Sequence, residues 1–198
     1  MFGKRTPLLK SKREHDIVYE PRYDSEMRKA TLNRVPVHMY SDLCTAARKH
    51  GNLRMLANLF KQNKNHIILL QDPKNMRSGH WISISGDPRQ KKIYFFSTYG
   101  GKPDVEKVQW LDDDALLSSG QELNIFNDGF QDLQRHGWEI HYNQYPFQVP
   151  GDKTATCGIF TAAFLRSGLN PDEFIKQTQT IMSQGIHPAV YYFDKYFC

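Results

Sequence analysis

The chain has 198 residues, 39% hydrophobic and 13% aromatic, which suits one domain with a real core and excludes a disordered or fibrous chain. Its formal charge of +5 permits an anionic partner without requiring one. No apolar run nears the ~18 residues of a membrane span, and three cysteines, Cys44, Cys157 and Cys198, fit neither a zinc pattern nor a disulfide framework.

The expectation is therefore a reduced, intracellular protein. The first residues lack the apolar core of a signal peptide, and Cys198 has no residues after it to form a prenylation box. Residues 1–34 are polar, and Lys4, Arg5, Lys10, Lys12 and Arg13 precede any acid. They read as a partly flexible basic arm, ordered where Ile17-Val18-Tyr19 can pack; residues 35–198 read as a single domain.

From Ser41 the pattern turns helical. Ser41 or Asp42 can cap, Leu43, Ala46 and Ala47 share a face, and Gly51 ends the segment. A second helix spans Leu53 to Lys61. Three strands follow, at 66–70, 81–85 and 92–96. The turn chemistry of Gly86-Asp87-Pro88-Arg89-Gln90 predicts a hairpin between the last two. Helices are predicted over 104–119 and 121–135, then a strand carrying Trp138, Ile140 and Tyr142. A loop over 143–156 leads to a helix beginning at Cys157. Asn170-Pro171-Asp172-Glu173 caps a further helix, and His187-Pro188 opens an aromatic end segment. The fold class is α+β: a small, mostly antiparallel central sheet flanked by helices.

Two motifs carry chemistry. Gly79-His80-Trp81 sits where a loop, Arg77-Ser78-Gly79, meets an apolar strand. Cys157-Gly158-Ile159-Phe160 opens a helix 77 residues after His80. Unpaired N–H groups at a helix start favour a thiolate and can hold an oxyanion. Gly158 leaves room for a substrate carbonyl. His80 can serve as the base, and Trp81 can roof the site. Gln144 and Gln148, in the loop before Cys157, offer amide donors for the oxyanion. Each residue taken alone is as well explained by packing. Asp112-Asp113-Asp114 reads as a solvated helix start, and His136 and His141 straddle Gly137 without forming a metal site. No metal or cofactor is implied.

The order His-Trp, strand end, Gln, Cys-Gly resembles the adenovirus-type and Ulp (SUMO-specific) cysteine proteases over residues 40–180. Phe95-Phe96-Ser97-Thr98-Tyr99-Gly100-Gly101 and Thr156-Cys157-Gly158-Ile159-Phe160 resemble capsid-maturation proteases of adenoviruses, virophages, Maverick-type elements and large DNA viruses. The resemblance implies His80 as base, Cys157 as nucleophile and Gln148 as oxyanion donor, with Gln144 as second choice. An insertion near Pro150-Gly151-Asp152 would account for the longer Gln148–Cys157 spacing.

The family's His-orienting acid falls at Ser97, which brings no charge. Three arrangements follow: a Cys/His dyad helped by Ser97, which is favoured; an acid such as Asp104 reaching in; or a weakened relative. The implied function is a viral endopeptidase that cleaves capsid or other virion precursors after glycine or another small residue. It would act as a monomer in the virion and host-cell interior, with DNA as a possible helper and no membrane partner. The rivals are a deconjugating protease for ubiquitin-like modifiers, an acetyltransferase of similar site, and a non-catalytic basic virion protein that binds nucleic acid.

Overall fold

A computed structural model describes residues 7–150 and 154–198, with side chains from Arg13 onward. Lys4, Arg5, the side chains of Lys10 and Lys12, and the Gly151-Asp152 insertion lie outside the described residues. The chain opens with two helices, α1 (Pro7–Tyr19) and α2 (Asp24–Ala30), then a short strand, β1 (Val37–Met39). Helices α3 (Tyr40–His50) and α4 (Asn52–Gln62) lead to strands β2 (Asn65–Asp72), β3 (Asn75–Asp87) and β4 (Lys92–Ser97). Short helices α5 (Val105–Val108) and α6 (Asp113–Ser118) precede α7 (Ile125–Arg135) and strand β5 (Glu139–Tyr142). Helices α8 (Cys157–Ser167), α9 (Pro171–Ser183) and α10 (Pro188–Tyr196) complete the chain.

The five strands lie side by side in sequence order. The sheet is mixed, which corrects the mostly antiparallel expectation: β2–β3 and β3–β4 are antiparallel, while β1–β2 and β4–β5 are parallel. The cause is the connections, since α3–α4 and α5–α7 are long enough to carry the chain back to the same end of the sheet. Three-residue β1 is too short to show a period.

A second correction concerns β3. The predicted loop at Arg77-Ser78-Gly79 is strand, because the β2–β3 hairpin continues to the Asp72↔Asn75 pair. The predicted helix over 104–119 is two helices. Asp112, whose carboxylate accepts the Ala115 N–H at 2.7 Å, caps α6 and restarts the chain there.

The sheet divides the core. One face carries Ile67, Leu69, Trp81 and Phe96 against α8, α9 and α10; the other carries Ile68, Leu70, Ile82 and Phe95 against α3, α4 and α7. Helix α8 is apolar all round, with Ile159, Phe160, Ala162, Ala163 and Phe164 buried, so it lies central rather than at the surface. Ile17, Met27 and Ala30 join the same core.

Candidate active site

His80 sits on β3, and Cys157 is the first residue of α8. Both line one cleft of about 240 Å³, together with Trp81, Tyr99, Gln148 and the Pro21-Arg22 backbone segment. Gly79 determines how β3 reaches this point. Its φ is +150°, and a Cβ there would lie 1.9 Å from the Leu70 carbonyl oxygen, so only glycine fits beside His80.

The His80 ring is buried and constrained on two sides. Its Nε2 lies 3.0 Å from the Ser97 hydroxyl. Tyr99 stacks on it, with centroids 3.8 Å apart and planes 11° from parallel. Nδ1 is buried and makes no hydrogen bond, so the thiol contact is not closed in this structure. Such contacts tighten when substrate enters.

Ser97 Oγ also accepts the Tyr99 N–H at 3.3 Å. A hydroxyl can donate to Nε2 or accept from it, so Ser97 does not select a tautomer. A carboxylate could only accept; it would hold the proton on Nε2 and leave Nδ1 basic. Asp104 does not supply that charge. It accepts from the Tyr40 hydroxyl at 2.5 Å and from the N–H groups of Phe126 and Asn127, where it caps α7. Of the two side chains weighed as partners for the ring, Ser97 is the one in contact with it. Ser97→Asp is therefore expected to raise the imidazole pKa by ~1–3 units. The acid limb of the pH–rate profile should move by that amount and kcat should rise about ten-fold; an unmoved limb would refute the tautomer argument.

Burial sets the resting charge. It pushes the His80 imidazole down to about 3. It pushes the Cys157 thiol up, partly offset by the N–H groups of Trp81, Gly158 and Cys157 itself. Both shifts favour the neutral forms of the imidazole and the thiol. The low His80 value has a stability consequence. Between the ordinary histidine value near 6.5 and about 3, the unfolded chain binds a proton that the folded chain refuses. Buried His66, pushed down to about 4 mainly by desolvation, adds to this. Stability is complete above about pH 6.5 and is lost as pH falls from there. Urea midpoints should drop between pH 7 and 5, and His80→Gln should flatten part of that drop. Parallel curves for the two proteins would contradict this account.

Gln148 is held by the strand-end segment. The Thr98 carbonyl accepts the N–H groups of Phe147 and Gln148, and the Thr98 hydroxyl donates to Gln148 Oε1 at 3.2 Å. The Gln148 amide nitrogen donates to the Thr154 carbonyl at 2.5 Å, which sets the amide beside the start of α8.

Two other expectations are corrected. Gln144 lines a separate recess with Lys92, Tyr94 and Asp172, away from Cys157. Gly158 does not leave room for substrate; a Cβ there would meet Arg22 Cβ at 2.9 Å and Met27 Sδ at 3.0 Å, so its smallness admits the N-terminal segment. The sequence reading missed Tyr99 and Arg22. Tyr99 had a signal, since it lies two residues after Ser97 near the strand end. Arg22 had none, because nothing local ties residue 22 to α8.

No family model matches the chain, and neither does any curated protein. Among solved structures the chain is similar to the SUMO protease Ulp1 with its catalytic cysteine oxidised to a sulfinic acid. The identity is 13%, with 99% of this chain and 98% of that chain covered, at a TM-score of 0.36.

Proposed function

We propose that the chain is a cysteine endopeptidase with His80 as base and Cys157 as nucleophile. The observation that carries this is the unpartnered Nδ1 of buried His80, in the same cleft as a thiol at a helix start, with Ser97 on the other ring nitrogen. Sulfur attacks the scissile carbonyl as its proton passes to His80. Gln148 and the Cys157 main-chain N–H receive the oxyanion. The C–N bond breaks, His80 protonates the leaving amine, and water activated by His80 releases the acyl group.

For the substrate, the motif resemblance at 95–101 and 156–160 favours precursor proteins of a DNA-virus particle, cut after glycine or another small residue. A cleft of about 240 Å³ walled by Trp81, Tyr99 and Pro21-Arg22 supports small side chains next to the cut. The test is a mixed peptide library, with a ubiquitin-like precursor ending in Gly-Gly as the competing substrate. Cleavage after small residues in peptides supports the viral reading; selective processing of the folded modifier precursor favours deconjugation. If neither is cut and the chain binds DNA with a steep salt dependence, the non-catalytic reading replaces both.

A further inference from the structure

The N-terminal segment touches the site from both sides. The Trp81 indole N–H, one residue beyond His80, donates to the Arg22 carbonyl at 2.9 Å. The Ala155 N–H, two residues before Cys157, donates to the Val18 carbonyl at 2.7 Å. Gly158, next to Cys157, packs directly on Arg22 and Met27.

We infer that residues 16–30 form a strap that positions the catalytic pair, and that Arg22 is the positioning residue that fixes the strap's shape. The guanidinium is buried and stitches the segment to itself. It donates to the Asp16 and Ile17 carbonyls in the last turn of α1, at 3.3 and 3.1 Å, and pairs with Glu26 of α2 at 3.2 Å. It also lies 4.8 Å from the centre of the Phe193 ring on α10. These contacts fix the backbone at Pro21-Arg22, which offers its carbonyl to Trp81. Trp81 in turn is tied to α8, because its own carbonyl accepts the Thr161 hydroxyl at 3.1 Å. Its main-chain N–H offsets part of the rise that burial imposes on the Cys157 thiol. Loosening the strap lets Trp81 drift, and that offset is lost.

The inference rests on the proposed reaction only for what the pair does, so its test uses no peptide. The readout is the pH midpoint of iodoacetamide alkylation at Cys157, followed by peptide mass analysis to separate it from Cys44 and Cys198. His80, Tyr99, Asp72 and Arg22 are the other titratable or charged groups lining the cleft. Trp81→Phe keeps the ring and removes the indole N–H. Its midpoint should rise by about one unit. Arg22→Ala should shift it likewise and Arg22→Lys less. Midpoints equal to the native one in folded Trp81→Phe would overturn the strap, even if Arg22→Ala fails to fold. Variants that show these shifts, in a protein whose native chain cuts no peptide, would overturn the proposed function and support the strap.

Discussion

Cys157→Ala is expected to abolish peptide hydrolysis, lowering kcat/KM by ~10⁴-fold or more, while the unfolding midpoint stays near native. The physical basis is that Cys157 is the one thiol among the described residues lining the cleft. Cys157 is buried, but the change removes a single heavy atom, at a cost of ~1 kcal/mol. His80→Ala should cost a similar factor, since burial keeps the thiol protonated and His80 is the imidazole lining its cleft. Under the proposed mechanism the two residues act as a unit, so the double variant should be no slower than either single one. Steady-state kinetics on the three proteins checks this; additive losses would mean that His80 and Cys157 do not share a step.

Gly79→Ala should be the most damaging small change outside the reacting pair. A Cβ 1.9 Å from the Leu70 carbonyl oxygen cannot be accommodated by a side-chain rotation, because the obstacle is backbone. The hairpin must spread at the residue before His80, at a cost of ~3 kcal/mol. Chemical denaturation measures the loss. The ring should also leave its Ser97 contact, so activity measured well below the midpoint should fall further than stability explains. A stable, fully active variant would show that the Gly79 geometry is not needed.

The helices and strands that repeat a pattern over many residues were legible in the sequence. Leu53 to Lys61, the apolar run at 66–70 and the Asn170 capping box each declare themselves locally. The mixed character of the sheet was not legible, because a parallel pairing is decided by where a crossover returns and not by the strand itself. The site divides in the same way. His80, Cys157 and Gln148 sit in motifs that hint at chemistry, and the structure brings them to one cleft. Gly158 misled, since its partner is Arg22, 136 residues away. Asp104 stayed open as an alternative because a capping acid and a catalytic acid look alike until their partners are seen.

The central claim is that Cys157 attacks with His80 as base. Its most direct measurement is intact-protein mass after rapid acid quench during turnover of an activated peptide ester. The account predicts a single acyl adduct on Cys157, absent in Cys157→Ala and slowed by orders of magnitude in His80→Ala. Turnover with no adduct, or an adduct on any other residue, would contradict it.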